Sequence, residues 1–406
     1  LLAGFYPAFV LSGFSPVMAF KNKAGVSGTG MNSLKRLLVV FQFTISQTLI
    51  ICVLIIINQM DYFKSTPLGF DKDAIVITHI PIDSIGISKI EGLRNQLLHI
   101  HGINKVSFSY ASPMDDNIWN SDIKYNDVIK NDFGASLKWA DVNYANTYHL
   151  KLLAGQFYGQ SDTVKDFVIN EAFLKKLGIR DPKEAIGAKI FIMGTDKSGR
   201  ITGVVQDFND VSLRNPISPV LMSTWKELYQ TVNIKIAESD IGQTLTNIEK
   251  LMKESFPNDV YEYRFLDENI AGYYKQEEQL SQLYKIFAGI AIFISCLGLY
   301  SLVSFMTIQR TKEVGIRKTL GASVGNIVYL FSKEFTWLIL LSFVISAPIA
   351  WYLMHQWLQN YAYHVIPGPG VFFLAISVSI FIASISVGYK AVSAALANPV
   401  TSLRSE

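Results

Sequence analysis

Charge is scarce in this sequence: Asp, Glu, Lys and Arg make up 17% of 406 residues, against ~25% in ordinary soluble domains. Cysteine is nearly absent. The two present, Cys52 and Cys296, lie in uncharged apolar runs, which excludes a disulfide framework and a thiolate metal site. No G-x-x-x-x-G-K-[ST] occurs, so the chain has no P-loop of its own; Gly315-Ile-Arg-Lys318-Thr319 lacks both the spacing and a preceding strand. No G-x-S-x-G nucleophile elbow occurs either. His99-Ile-His101 has no third ligand in sight and reads as a solvated pair at a helix end. Asp115-Asp116 and Glu277-Glu278 read as surface acids. There is no broad basic face, which excludes a nucleic-acid binder, and a hydrophobic content of 50% excludes disorder.

What the sequence has instead is long apolar runs. A bilayer core needs about 20 apolar helical residues. Four charge-free stretches meet that length: 37–57, 286–308, 335–354 and 371–389. Residues 1–14 read as the tail of a fifth span. Lys and Arg cluster in 15–36, 309–334 and 390–406, which hold eleven basic residues and only three acids, Glu313, Glu334 and Glu406. The loop 355–370 carries no Asp, Glu, Lys or Arg. The positive-inside bias therefore predicts a cytoplasmic linker at 15–36, a cytoplasmic loop at 309–334 and a cytoplasmic tail at 390–406. Residues 58–285 and 355–370 fall outside. The outer segment holds 25 basic and 30 acidic residues, so the net charge of +3 conceals a polarised molecule.

The spans carry no ionisable group at mid-depth, which argues against a proton- or ion-coupled carrier. Gln42, Ser46 and Gln47 in the first span are expected to hydrogen-bond between helices. Tyr6–Val17 and Tyr389–Val400, aligned without gaps, share Tyr, Ala, Pro and Val. That similarity predicts a parent chain with two four-span modules, of which this is the second plus the end of the first.

The outer segment alternates strand and helix patterns. Ala74–Thr78 reads as a strand, Ser88–Ile100 as a helix with Ile90, Leu93 and Leu97 on one side, and Ile103–Tyr110 as a strand. The order returns in strand Thr231–Ala237, a helix capped by Asp240, and strand Val260–Leu266. Between the two units, about 112–228 reads as an inserted β-rich subdomain. After Leu266 no proline interrupts the chain before the second span. A continuous helix from Asp267 to Ile308 is expected, 42 residues or roughly 63 Å, with Ile270, Tyr273/Tyr274, Leu280 and Leu283/Tyr284 at helical spacing. It would serve as a stalk.

The cytoplasmic loop Gln309–Glu334 is predicted to form a short helix with Glu313 and Arg317 paired at i,i+4. Gly321 would end that helix, and Ser323 would cap the next. Its run Glu313-Val-Gly-Ile-Arg-Lys-Thr-Leu-Gly-Ala-Ser323 closely resembles the E-I-G-I-R-K-A-L-G-A signature of the MacB/FtsX-like ABC transporter permeases. Lys151-Leu-Leu-Ala-Gly-Gln156 resembles their L-L-x-G-R element, with Gln156 where Arg is usual. Val168-Ile-Asn-Glu171, Lys176-Leu-Gly178 and Gly203-Val-Val-Gln-Asp-Phe208 are similar to the run of their MacB-type periplasmic core domain. Phe265-Leu-Asp-Glu268 and Tyr274 match the sequence before the stalk.

The fold expected is a membrane α-helical protein with four complete transmembrane helices plus the tail of a fifth, and a large α+β periplasmic domain made of two subdomains. The resemblance implies a MacB-like periplasmic core domain at 58–285, an FtsX-like permease domain at 286–400, and location in a bacterial inner membrane. It implies a permease subunit, not an enzyme, with no cofactor in this chain and ATP/Mg in a separate cytoplasmic ABC ATPase subunit. The residues implied in ATPase coupling are Glu313, Val314, Gly315, Ile316, Arg317, Lys318, Leu320 and Gly321. Other implied partners are the chain's own N-terminal half or a second permease copy, a periplasmic adaptor, an outer-membrane channel and the lipid bilayer. The work expected is mechanotransmission for export or release of a peptide, lipoprotein or drug-like substrate. The alternatives are a signal relay regulating a periplasmic hydrolase and a sensor of envelope peptides.

Overall fold

The computed structural model describes residues 29–115, 117–309, 313, 316, 317 and 320–396. The fifth-span tail, the Tyr6–Val17 repeat and its counterpart beyond 396 lie outside them. The described residues divide into two compact units: a head, Gln59–Gln279 with Leu358–Val365, and a membrane unit drawn from Leu1–Asn58, Leu280–Trp357 and Ile366–Glu406.

The membrane unit is built on four helices: α1 (Thr29–Ser65), α7 (Lys275–Gln309), α8 (Val324–Leu358) and α9 (Pro369–Leu396). Each contains a stretch long and apolar enough to cross a membrane. Val39, Phe43, Leu299, Leu302, Val303, Phe335, Ile339 and Ala383 form their shared core. Polar side chains join the helices. The Ser46 and Ser295 hydroxyls lie 2.8 Å apart, Gln47 Nε2 donates to the Ile339 carbonyl, and Ser346 Oγ donates to Gln47 Oε1. Gln42 does not join this network: its Oε1 is buried without a hydrogen-bond partner. Replacing Gln47 by Leu is expected to lower the stability of the detergent-purified chain by about 1 kcal/mol, read as a lower thermal midpoint.

In the head, a four-stranded antiparallel sheet has the order β11-β1-β10-β2, formed by β1 (Ile75–His79), β2 (Ile103–Ser109), β10 (Thr231–Ile236) and β11 (Tyr263–Phe265). Helices α2 (Ser84–Leu98) and α5 (Ile241–Ser255) bury Ile90, Leu93, Leu97, Ile248 and Met252 against it. α2 begins four residues earlier than the sequence pattern suggests, because Asp83 caps it by accepting from the Gly86 amide at 2.7 Å. Asp240 does not cap α5: it sits at φ +55° and makes no side-chain cap bond.

The second sheet has the order β5-β8-β6-β9-β4-β3-β7, and β8 also pairs with β7. Its strands are β3 (Trp119–Tyr125), β4 (Val128–Trp139), β5 (Leu152–Gly155), β6 (Asp166–Asn170), β7 (Lys189–Ile192), β8 (Ser198–Val205) and β9 (Val220–Ser223). The first half of β8 pairs β7 and its second half pairs β5, so six strands close into a ring and β5 hangs outside it. One hydrophobic core runs through both sheets, from Ile90 and Val232 to Trp139 and Phe167. Arg94 of α2 crosses from the first sheet to the Asp141 carboxylate after β4 at 2.7 Å. Burial pushes the Asp141 carboxyl up, while Arg94 and the amides of Phe108 and Asn143 pull it down.

The expected 42-residue helix is not continuous. A short helix α6 (Leu266–Gly272) ends at a turn over Tyr273 and Tyr274, and α7 starts afresh at Lys275. Gly272 lowers helix stability at that point, and both tyrosines are held by the head, as described next. α7 still measures 35 residues, about 52 Å at 1.5 Å per residue. Leu280 and Leu283 are exposed on it, while Tyr274 at the turn before it and Glu277 on its first turn are buried. Of the face the apolar spacing selected, Ile270 and Tyr274 are buried, whereas Leu280 and Leu283 on α7 are not.

Candidate functional site

Two sites follow from these elements. The first is the turn between α7 and α8. Glu313 and Arg317 form an i,i+4 ion pair at 2.7 Å. The helix closes at Gly321, whose φ is +91°, with the Ala322 amide donating back to the Arg317 carbonyl; this is the Schellman closure, in which a left-handed glycine saves the last carbonyls. Ser323 Oγ then accepts from the Asn326 amide and opens α8. Ile316 and Leu320 are exposed, Leu320 by 82%. Val314, Gly315 and Lys318 lie outside the described residues. What remains is a charged turn with two exposed aliphatic side chains.

The second site is in the head, and the sequence motifs meet there. After the one-turn helix α3 (Tyr144–Thr147), helix α4 (Glu171–Leu177) opens on Asn170, whose Oδ1 accepts from the amides of Phe173 and Val220. Glu171 and Asp207 exchange bonds: the Asp207 amide donates to Glu171 Oε2 at 3.0 Å, and the Ala172 amide donates to Asp207 Oδ1 at 2.7 Å. The Val168–Glu171 and Gly203–Phe208 motifs are thus two halves of one clamp. Burial raises the Asp207 carboxyl, opposed by the Ala172 amide.

From that clamp a strap, residues 207–214, runs past several elements in turn. Gly69, at φ +82°, lets the chain after α1 lie directly on its start: an added Cβ would meet the Asp207 carbonyl oxygen at 2.5 Å. The Asn209 amide donates to the Leu68 carbonyl. Asp210 is fully buried; its Oδ2 accepts from Ser136 Oγ, and its carbonyl accepts from the Met114 amide. The ammonium of Lys138, also buried, lies 4.0 Å from that carboxylate. Burial pushes the lysine down, and Asp210 and Asp115 pull it back up.

The strap ends at a collar. The Leu213 amide donates to Tyr274 Oη at 3.0 Å. Arg214 donates to the Tyr273 carbonyl and to the Glu277 carboxylate, and Tyr361 Oη donates to the same carboxylate oxygen. The Ala362 amide donates to the Arg214 carbonyl. Gln59, at the head end of α1, holds both the Tyr363 carbonyl and the Val365 amide. Phe63 stacks on Tyr274 at 4.7 Å between centroids and meets Tyr361 at 5.5 Å. The charge-free outer loop, the end of α1, the start of α7 and the strap are therefore one packed cluster.

Glu277 corrects the surface reading: it is 5% exposed and paired with Arg214, whereas Glu278 stays outside and meets Lys64 at 3.0 Å. Asp115 is half-buried, near Lys138, and Asp116 lies outside the described residues. No sequence signal joins Arg214 to Glu277, which are 63 positions apart. Among the described residues no group of three or more His, Cys, Asp or Glu is placed to hold a metal ion.

Four membrane-length helices and an α+β head of two sheets define a multi-pass membrane protein. The FtsX-like permease C-terminal family matches residues 285–399, so that segment carries an FtsX-like permease domain. It is 23% identical over 227 residues to the uncharacterized ABC transporter permease YknZ of Bacillus subtilis, covering 53% of this chain. It is 25% identical over 237 residues to the uncharacterized ABC transporter permease MJ1507 of Methanocaldococcus jannaschii, covering 52% of this chain. The chain spans 56% of the length of each of these relatives. The crystal structure of the periplasmic region of MacB from Actinobacillus actinomycetemcomitans is similar with a TM-score of 0.36 at 14% identity, over 49% of this chain and 92% of that one.

Proposed function

We propose that this chain is the permease subunit of an ABC transporter that passes force, rather than substrate, along its helices. A separate cytoplasmic ATPase, with its ATP and Mg, would press on the turn 309–334, and the head would move or release a peptide, lipoprotein or drug-like substrate outside the membrane. The observation that carries this reading is the collar. Helices α1 and α7 each run from the membrane unit into the head, and the start of α7 and the chain just after α1 are held by polar contacts to one strap of the β ring. A displacement of α7 cannot leave the strap behind without breaking the Arg214–Glu277 pair. The same strap returns through Asp207 and Asp210 to α4 and β4.

The exposed Ile316 and Leu320 beside the Glu313–Arg317 pair suit a complementary groove on the ATPase. Arg317→Glu is expected to leave membrane insertion intact and to cut co-purification of the ATPase at least tenfold. Unchanged recovery of the ATPase would remove this turn from the coupling. Glu313 with Arg317, the closing Gly321, and the neighbouring Val314, Gly315 and Lys318 are the residues we assign to that contact.

A further inference from the structure

The described residues hold a groove of about 780 Å³ beside the start of the third span, lined by Arg36 of α1 and by Tyr329, Leu330, Lys333, Trp337 and Leu340 of α8. Tyr329, Lys333 and Trp337 are spaced four apart, so they share one helix face; all three are exposed, and the two aromatic residues are each 68% exposed. Lys333 and Glu334 are the last charged residues before the apolar run 335–354, and Arg36 is the last before the run 37–57. Both basic groups therefore stand at headgroup depth in the leaflet that the charge bias makes cytoplasmic, flanked by the aromatic types that favour that layer. Below them the wall turns apolar, through Trp337, Leu338 and Leu340.

The charge of this patch is not balanced. Glu334 pairs with Arg36, and Lys333 adds a second cation beside that pair. Among the described lining residues two cations face one carboxylate, at a depth where the available counter-charge is a lipid phosphate.

We infer that the groove formed by Arg36, Tyr329, Lys333 and Trp337 binds one anionic phospholipid of the inner leaflet. Its phosphate lies against Lys333 and Arg36, and one acyl chain follows Trp337 and Leu340 toward the bilayer centre. An anionic headgroup satisfies the uncompensated charge, and the acyl chain covers apolar wall that water would leave unfavourably wet. The groove lies on the first turns of α8, next to the Glu313–Arg317 turn, so lipid occupancy would steady those turns.

The test is native mass spectrometry of the full chain in detergent, titrated separately with phosphatidylglycerol and with phosphatidylcholine of the same acyl composition. One phosphatidylglycerol is expected to be retained at least fivefold more tightly than phosphatidylcholine. Lys333→Gln is expected to reduce that preference about fivefold, which corresponds to ~1 kcal/mol per basic residue at an anionic membrane surface. Arg36→Gln should do the same, and Trp337→Ala should weaken both lipids alike. Lys333 is exposed, so its substitution does not threaten folding. Equal retention of the two lipids, or an unchanged preference in Lys333→Gln, would overturn the assignment. So would dimerisation that shields the thiol of Tyr329→Cys, since a second copy would then be the occupant.

Discussion

Hydrogen exchange in the outer loop 358–365 is expected to accelerate about a hundredfold in Arg214→Met. That substitution removes the guanidinium paired with a buried carboxylate: Glu277, 6% exposed in its side chain, would keep the Tyr361 hydroxyl as its donor among the described residues. Breaking a buried pair from one side costs ~3–5 kcal/mol, and about 3 kcal/mol is expected here because Arg214 itself is 37% exposed in its side chain. Each ~1.4 kcal/mol is a factor of ten in an opening equilibrium, which sets the hundredfold. The reporters are the amides of Ala362 and Val365, both bonded within the collar. Glu277→Gln should be milder, under tenfold, since an amide still accepts from Arg214 and Tyr361, and the half-exposed guanidinium can rehydrate. The Arg214→Met, Glu277→Gln double variant should open less than the product of the two single changes. If Glu277→Gln exceeds Arg214→Met, the carboxylate is not the stranded charge and the collar is held some other way.

The second large effect is expected at Gly69. An alanine there would place Cβ 2.5 Å from the Asp207 carbonyl oxygen and 2.7 Å from Phe208 Cα, at φ +82°. The left-handed backbone costs ~1–2 kcal/mol for a residue with Cβ, and overpacking against backbone that cannot swing aside adds ~1–3 kcal/mol. A loss of about 2–5 kcal/mol from the head should lower the thermal midpoint of the full chain and reduce the exchange protection of 207–214. Gly92, in the middle of α2 with nothing within 4 Å of an added Cβ, gives the opposite sign: Gly92→Ala should stabilise by roughly 0.5–1 kcal/mol. Equal midpoints for the two variants would mean that Gly69 is not the contact point between the chain after α1 and the strap.

The spans, the strand-helix order of the first sheet and the buried face of α2 were legible in the sequence because each rests on a short-range signal. Charge-free length marks a span, and Ile90, Leu93 and Leu97 mark a face through 3.6-residue periodicity. Gly321 was legible for the same reason, since a glycine after a helical run supplies the left-handed closure. The break at Tyr273 and Tyr274 was not, because neither tyrosine disfavours helix; bonds from Leu213 and Arg214, some sixty residues away, hold them. Glu277 was misjudged because exposure is the ordinary state of a carboxylate, and only the folded strap brings Arg214 to it. Asp240 looked like a cap by residue type, but its left-handed backbone takes the side chain away from the helix amides. The motifs Val168–Glu171 and Gly203–Phe208 could be quoted as a resemblance; that they clamp each other is a fact of three dimensions.

The closed ring of six strands has a mechanical meaning. An open sheet pulled at an outer strand can peel, one ladder bond after another, whereas a closed one offers no free margin where peeling could start. Because the strap leaves this ring between β8 and β9, a tug on it is spread over neighbouring ladders on both sides. Such a body behaves as a stiff washer under load: it turns or shifts whole, and the give in the molecule is left to the joints around it.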